Sequence, residues 1–345
     1  MSPKPGAFTH AEIQSQPDTW LASLGVIASA RPEIEAIFKS AHADEVLFTG
    51  CGSTYYLSAA AASLMTEMNG IPARGIPASE LWLYPKSAYP VGKRYLLVAV
   101  SRSGETTETL RACEAFLQDR RGTLVTLSCF PGRPLTSMGS LNLIFPAAME
   151  ESIAQTRAFS TLYLACVALA AVWGGQPALL DQLPQLAETG RRVIEQSASL
   201  VRSLANDPAI DRFYFLGSGS RYGLAAELSL KMKEMSLTHS EPFHFMEFRH
   251  GPKSMISSNS LVIGLLSESN HAAEAKVLHE MQEMGAQILS IGEQDARVMF
   301  QGGQPEILQN ILYLPVGQLL AFERSVGKGL DPDHPSNLTA VVHLD

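Results

Sequence analysis

Short apolar runs alternate along the chain with longer segments whose apolar residues recur at helical spacing. In the first half this pattern predicts strands at Glu45–Thr49, Pro72–Ser79, Tyr95–Val100, Thr123–Ser128 and Asn142–Phe145. It predicts helices at Thr19–Ser40, Leu57–Met68, Glu80–Leu83, Glu108–Arg120 and Glu151–Trp173. Strands that alternate with helices in this way form parallel sheets covered on both faces. The pattern therefore predicts an α/β fold.

The second half of the chain repeats the first. Phe215–Met235 matches Phe48–Met68, including both glycines of a turn, and Leu261–Ser269 matches the strand and turn at Leu96–Ser103. This internal duplication predicts two domains with the same fold. From the composition, disorder is expected only at residues 1–9. We place an arm at residues 1–20, a first domain at 21–177, a connecting helix at 178–205, a second domain at 206–330 and a tail at 331–345.

The strongest chemical signal is the turn Ser101–Thr107, with the sequence Ser-Arg-Ser-Gly-Glu-Thr-Thr between a predicted strand and a predicted helix. Backbone N–H groups at a helix N-terminus are unpaired and carry partial positive charge, and four hydroxyl side chains lie beside them here. In an alternative interpretation, Ser101 or Ser103 only caps the helix and Glu105 completes a capping box. A single cap needs one hydroxyl, so the density of hydroxyls favours a site for an anion such as phosphate. We call the turn Ser101–Thr107 the phosphate cradle.

A related turn, Gly50–Thr54, follows the first strand and is a second candidate cradle. Its G-x-G pattern lacks the third glycine and the acidic ribose ligand of a dinucleotide fold, so a Rossmann cofactor site is not expected. In the repeated half, the turn after Leu261–Leu266 has lost most of its hydroxyls. We therefore expect the phosphate in the first domain and a different task for the second.

Composition excludes several classes of function. The net charge of −8, from 26 basic and 34 acidic residues without a block of like charge, argues against a nucleic-acid or anionic-membrane surface. The chain begins without an apolar signal segment, and the run Leu162–Trp173 is too short to cross a bilayer. We expect a cytoplasmic protein with free thiols. No metal ligand spacing occurs around the four cysteines, Cys51, Cys113, Cys129 and Cys166.

Titratable residues gather in the second half. Lys231 and Glu234 share a helix face at spacing i, i+3, and two charged segments follow at His239–Glu241 and Glu247–Lys253. In the alternative interpretation, Lys231 and Glu234 form a solvated surface pair, which is the common outcome of this spacing. An isolated histidine such as His250 is more often a surface or satisfied core residue than a catalytic one. The crowding of titratable groups between apolar positions favours chemistry.

Together these motifs resemble the sugar isomerase (SIS) domain family. The resemblance is strongest to the double-SIS isomerase half of glucosamine-6-phosphate synthase and to stand-alone phosphosugar isomerases and deaminases, and it runs from Glu12 to the C-terminus. It implies two tandem SIS domains, each a five-stranded parallel sheet flanked by helices in a flavodoxin-like three-layer sandwich, and a homodimer. It is carried by the segments Cys51–Thr54, Ser101–Thr107, Lys231–Ser236, His239–Phe243, Glu247–Pro252 and Asp331–Leu338.

The resemblance also implies roles for individual residues. Glu234 matches the acid/base that moves a proton between C1 and C2, Lys231 its companion, and His250 a ring-opening group supplied by the neighbouring subunit. The positions that match the family's 6-phosphate site are Thr54, Ser101, Arg102, Ser103 and Thr106. Ser53 and the backbone near Ile153 match contacts to sugar hydroxyls, and Cys51, Gly52 and Thr339 complete the predicted substrate contacts.

The chain also departs from the synthase pattern. Ala340 stands where the synthase has a lysine that forms a Schiff base, and Arg102 replaces a glutamine. We expect no preceding glutaminase domain and no cofactor. The leading interpretation is a glucosamine-6-phosphate deaminase. A phosphosugar aldose/ketose isomerase or deglycase, and a non-catalytic sugar-phosphate-binding regulator, remain open.

Overall fold

The computed structural model describes residues 4–342 and 344, which form two compact units. The first unit contains residues 18–149, 157–184 and the described part of the chain after 338. The second contains residues 4–17, 150–156 and 185–338. The domain boundaries given above stay predictions, and part of the arm, residues 1–3, lies outside the described residues.

Each unit is built on one five-stranded, all-parallel sheet. The first sheet has the strand order β2-β1-β3-β4-β5 and the second the order β10-β9-β8-β6-β7, so both have the same topology, which is the flavodoxin-like order. This confirms the predicted fold class and the duplication. The strands are β1 Glu45–Gly50, β2 Ala73–Pro77, β3 Tyr95–Ser101, β4 Gly122–Ser128, β5 Leu141–Ile144, β6 Arg212–Leu216, β7 Ser240–Phe243, β8 Ser260–Leu265, β9 Gln287–Gly292 and β10 Val298–Met299.

Helices flank both sheets. Every residue of β1, β3 and β8 is buried, and successive side chains of a strand point to opposite faces, so both faces of each sheet are covered. The helices of the described residues are α1 Ala7–Gln14, α2 Gln16–Ser29, α3 Arg31–Ala41, α4 Ser53–Asn69, α5 Ala78–Leu83, α6 Pro85–Ala88, α7 Thr107–Gln118, α8 Arg157–Trp173, α9 Pro177–Leu180, α10 Leu186–Ala205, α11 Arg221–Ser236, α12 His271–Glu283, α13 Glu306–Gln309 and α14 Tyr313–Gly327.

The predicted apolar helix is α8, in which residues 158–173 are all buried. It begins at Arg157, so the prediction that it starts at Glu151 was wrong. Residues 150–156 instead form an irregular segment of the second unit. In the described part of the chain, no helix combines the length and apolar character that crossing a membrane requires.

Two further predictions near the N-terminus were wrong. The single helix expected at Thr19–Ser40 is divided into α2 and α3 at Ala30, two residues before Pro32. Proline lacks the N–H that a continuous helix needs, but it fits the first turn of a new helix. The expected disorder at 1–9 is contradicted from Ala7 onward, where α1 begins.

Candidate active site

The hydroxyl-rich turn lies where ligands bind in open α/β sheets. In the order β2-β1-β3-β4-β5, the chain places β2 on one side of β1 and β3, β4 and β5 on the other, so the strand order reverses between the parallel neighbours β1 and β3. Cys51–Thr54 follows the carboxyl end of β1, and Arg102–Thr106 follows that of β3. The Cys51 Sγ atom lies 3.5 Å from the Thr109 hydroxyl in the first turn of α7, so the two turns are adjacent.

Three hydroxyls form a triangle at the N-terminus of α7. The Ser101 Oγ is 3.5 Å from the Ser103 Oγ, and the Thr106 Oγ1 is 3.4 Å from each of them. The backbone N–H groups of Gly104 and Glu105 donate to Ser101 and Ser103 at 3.2 and 3.3 Å, which orients both serines. The result is a compact cluster of donors at the positive end of a helix, suited to three oxygens of a phosphate.

The capping interpretation does not account for this turn. Thr106 occupies the N-cap position of α7, but its side chain makes no capping hydrogen bond. Glu105 does not complete a capping box either, since its carboxylate pairs with Arg133 at 2.9 Å. Gly104 has a φ of 70°, and a Cβ there would lie 2.9 Å from the Arg133 Cβ, so the turn requires glycine.

The turn after β1 uses its hydroxyl to close on itself. The Thr54 Oγ1 accepts the Cys51 N–H and donates to the Cys51 carbonyl, both at 2.9 Å. A Cβ at Gly50 would lie 2.4 Å from that hydroxyl oxygen. Burial raises the pKa of the Cys51 thiol to about 11, so the thiol stays protonated at neutral pH. This turn therefore contributes a fixed backbone and a buried Ser53 to the candidate site, and its Cys51 thiol is not a nucleophile at neutral pH.

The C-terminal tail contacts the cradle within the first unit. The Arg102 guanidinium donates to the Ala340 carbonyl at 3.2 Å, and the Thr107 N–H donates to the Val342 carbonyl at 3.4 Å. Thr339, predicted as a substrate contact, directs its hydroxyl to the Val341 carbonyl at 2.9 Å. Arg102 is thus engaged with the tail as well as placed beside the predicted phosphate.

In the second unit, a carboxylate of the chain itself occupies the corresponding turn. Asn270 N–H donates to the Ser267 Oγ at 3.0 Å, as Gly104 does to Ser101 in the first unit. The Ser269 N–H, however, donates to the Glu306 carboxylate at 3.0 Å, and buried Arg221 pairs with the same carboxylate at 2.9 Å. The groups of this turn that could bind an anion are therefore already paired with the Glu306 carboxylate.

The Lys231 side chain is buried, which excludes a solvated surface pair. Lys231 is 1% exposed and donates to Glu234, whose side chain is 19% exposed. On the other side, the Lys231 Nζ lies 3.5 Å from the Glu227 Oε1, and Glu227 is fully buried. Sequence reasoning missed Glu227, although its spacing of i−4 from Lys231 places it on the same face of α11.

His250 lies on a short turn that the second unit holds firmly. Phe248 is fully buried beside Tyr214, and Arg249 forms a two-point ion pair with Glu280 at 2.8 and 2.5 Å. Both anchors leave His250 exposed at the end of the 3-10 turn Glu247–Arg249. An exposed imidazole on a fixed turn is available to a ligand or to another subunit.

Ile153 lies in the irregular segment 150–156 of the second unit. Its backbone N–H donates to the Asp333 carbonyl at 3.0 Å, so this donor is used within the protein. The structure thus places Ile153, Lys231, Glu234 and His250 in the second unit. The other predicted site residues lie in the first unit: Cys51, Gly52, Ser53, Thr54, Ser101, Arg102, Ser103, Thr106 and Thr339. Their roles stay predictions.

The SIS domain family matches two segments of the chain, residues 39–172 and 209–301. The chain belongs to the SIS family. Its first SIS segment carries the hydroxyl triangle, and its second carries Lys231, Glu234 and His250. The two segments correspond to the two sheets, which confirms tandem SIS domains.

Among curated proteins, this SIS chain is similar to glutamine–fructose-6-phosphate aminotransferases (isomerizing). The enzyme of Gloeobacter violaceus is 31% identical over 88% of the chain, and that of Methanothermobacter thermautotrophicus is 29% identical over 88%. Each alignment covers 52% of the relative, so the chain spans about half the length of these relatives.

Solved structures share the fold over nearly the whole SIS chain. Glucosamine-6-phosphate deaminase from Thermotoga maritima has a TM-score of 0.81 at 27% identity and covers 94% of this chain and 100% of its own. Tagatose-6-phosphate ketose/aldose isomerase from Escherichia coli has a TM-score of 0.85 at 20% identity, covering 97% of this chain and 100% of its own.

Proposed function

We propose that this protein is a phosphosugar isomerase that acts on an amino-hexose 6-phosphate and releases ammonia, as a glucosamine-6-phosphate deaminase does. The observation that carries the proposal is the hydroxyl triangle of Ser101, Ser103 and Thr106 at the N-terminus of α7. Its spacing fits a phosphate group. The deaminase assignment is supported by the 27% identity to the Thermotoga maritima enzyme over 94% of this chain.

The proton transfer is assigned to Glu234. Its carboxylate is partly exposed, whereas the Lys231 ammonium that contacts it is buried and also lies near Glu227. The contact with Lys231 fixes the position of the Glu234 carboxylate and leaves its other side open to a substrate. An ionised carboxylate with one open side can take a proton from a substrate carbon and return it to a neighbouring carbon.

The reaction follows from these groups. His250 assists opening of the sugar ring, which exposes an aldehyde at C1 beside the amine-bearing C2. Glu234 takes the C2 proton while O1 gains a proton from solvent, which gives an enolamine. Glu234 then returns its proton to C1 as the amine loses one proton to solvent, and the product is a ketimine at C2. Water hydrolyses the ketimine to fructose 6-phosphate and ammonia. Since position 340 is alanine, a Schiff base between this residue and the ketose plays no part.

We further propose a homodimer in which the exposed His250 serves the neighbouring subunit. The fixed turn Glu247–Arg249 and the exposure of His250 support this assignment.

One assay separates the competing functions. The protein is incubated with glucosamine 6-phosphate while ammonia and fructose 6-phosphate are measured, with Glu234→Gln as the control. Equal production of both compounds by the wild type alone supports the deaminase. Conversion of aldose and ketose phosphates without ammonia would indicate the plain isomerase, and binding without turnover would indicate the regulator.

A further inference from the structure

The last turn of α11, residues 233–236, carries Glu234 and ends in a strained residue. The helix stops at Leu237, which has the left-handed conformation, with φ 49° and ψ 40°. This conformation ends many helices, but glycine usually adopts it, because a Cβ makes it costly. Burial compensates Leu237 little, since its side chain is 53% exposed. Contacts from elsewhere in the unit must therefore hold the backbone in this shape.

Those contacts come from α14 and the residue that follows it. A helix leaves its last four carbonyl groups without partners inside the helix. In α11, the Met235 carbonyl accepts the Ser325 hydroxyl at 2.6 Å. The Ser236 carbonyl accepts the Lys328 ammonium at 2.5 Å. The same ammonium donates to the Leu237 carbonyl at 3.3 Å, so it joins the end of the helix to the strained residue.

Lys328 has a third contact in the same place, and its charge suits the helix end. Its ammonium donates to the Thr238 hydroxyl at 3.3 Å, and this hydroxyl in turn donates to the Ser236 carbonyl at 3.1 Å. A cation is favourable at a helix C-terminus, where the carbonyl groups carry partial negative charge. One side chain thus closes the last turn of α11 through oxygen atoms of three successive residues.

Glu234 lies within the turn that Lys328 closes. Its carboxylate is partly exposed and contacts Lys231, three residues earlier in the same helix. A carboxylate that takes a proton from one carbon and returns it to the next must stay within reach of both. A small displacement of a reacting group slows such a step strongly. Loosening the last turn would let the backbone of Glu234 move, although the residue itself is unchanged.

We propose that Lys328 is a positioning residue that holds the last turn of α11 and thereby the Glu234 carboxylate. The inference rests on the proposed function, because it requires that Glu234 transfer the proton. Lys328 acts through the helix backbone and takes no proton itself. Ser325, which holds the Met235 carbonyl, contributes to the same role.

The test uses Lys328→Met in the full chain, which keeps the length of the side chain and removes the ammonium. We expect kcat for ammonia release from glucosamine 6-phosphate and exchange of the C2 hydrogen with deuterated solvent to fall together, by about 10- to 100-fold. KM is expected to stay within about twofold, because the phosphate cradle lies in the first unit. Ser325→Ala is expected to show the same split to a smaller extent, and it is measured in place of Lys328→Met if that variant does not fold.

Arg324→Met is the matched control, because Arg324 closes a different helix in the same way. Its guanidinium donates at the C-terminal end of α10 to the carbonyls of Ala205 at 2.9 Å, Asp207 at 3.3 Å and Ile210 at 2.7 Å. None of the predicted site residues lies on α10. Arg324→Met is therefore expected to lower Tm without lowering kcat.

Leu237→Gly in the Lys328→Met background separates position from charge. Glycine adopts the left-handed conformation without the cost that a side chain brings. Since Lys328 acts by holding this turn, the double variant is expected to regain part of the lost Tm and part of the lost kcat. A kcat that stays low although Tm recovers would contradict the positioning role.

A purely structural Lys328 would lower Tm and leave kcat and C2 exchange unchanged, as Arg324→Met does, and this result would overturn the inference. A rise in KM at unchanged kcat would overturn it too. Should the wild type exchange the C2 hydrogen without releasing ammonia, the exchange rate replaces kcat. The proposed deaminase has then failed, and the inference is still decided. A wild type that shows neither turnover nor exchange overturns both.

Discussion

Lys231 and Glu234 form an ion pair in which the lysine is buried and the glutamate is partly exposed. The lysine side chain is 1% exposed and the glutamate side chain 19%. The Lys231 ammonium also lies near Glu227, which is itself buried. Of these three side chains, Glu234 is therefore the one that solvent or a substrate can reach. The proposed proton transfer by Glu234 requires this asymmetry, because an ordinary surface ion pair exposes both of its members.

Replacing Glu234 with Gln keeps the shape and removes the base. We expect turnover of glucosamine 6-phosphate to fall by about 10²–10⁴-fold while sugar-phosphate binding survives. Exchange of the C2 hydrogen with deuterated solvent is expected to fall in parallel. Near-normal exchange in Glu234→Gln would refute the assignment, and Glu241 or Glu247 would be tested next.

Ser103→Ala removes one corner of the hydroxyl triangle. The loss of one hydrogen bond to a charged phosphate is expected to raise KM by the equivalent of about 1.5–3 kcal/mol, with a smaller effect on kcat. Ser137→Ala is the control, because the exposed Ser137 hydroxyl bonds only a local carbonyl, that of Pro134, at 3.2 Å. Equal KM values for the two variants would argue against a phosphate at Ser101–Thr107.

Mixed oligomers test the proposed sharing of His250 between subunits. Glu234→Gln and His250→Ala chains, each inactive alone, are expected to regain part of the activity when mixed, because some heterodimers then hold one intact site. Activity is measured on heterodimers purified with two different tags. Verified heterodimers without activity would mean that His250 serves its own subunit or takes no part.

Glu306→Ala leaves a buried charge without its partner. Arg221 has a side chain only 8% exposed and pairs with Glu306 at 2.9 Å. Breaking a buried pair by removing one member costs about 3–5 kcal/mol, and we expect the lower end because Glu306 is partly exposed. Urea unfolding measures the loss, with the exposed Glu283→Ala as control. A loss equal to that of the control would show that Arg221 is not held by Glu306.

Glu45 links stability of the first unit to pH. Although burial opposes ionisation of this carboxyl, hydrogen bonds and charge from Arg74 and Lys93 outweigh it and hold its pKa below the ordinary 4.5. A lowered folded-state pKa contributes stability above the unfolded value, and this stability is lost as pH falls through the folded value. Unfolding of the wild type and Glu45→Gln is compared from neutral pH to below pH 4.5. Their difference is expected to shrink only below that value, and a constant difference would contradict the linkage.

The sequence by itself determined the elements and their chemistry at the cradle. Apolar runs at Tyr95–Val100 and Leu261–Leu266 predicted buried strands, because a strand covered on both faces must be apolar at nearly every position. The duplication and the hydroxyl-rich turn Ser101–Thr107 were also visible, since strand, turn and helix follow one another within a few residues. Such features are formed by residues that are neighbours in the sequence, so the sequence alone predicts them.

Tertiary structure decided which charged groups are buried and what they meet. The spacing of Lys231 and Glu234 is the same in a solvated pair and in a buried one. The lysine side chain is buried only because α11 packs against the rest of its unit. Glu306 and Asp333 reach their partners across long separations in sequence, Arg221 and Thr9 respectively. Periodicity reports which face of an element is apolar, but long-range contacts depend on how elements assemble, and therefore no local pattern predicts them.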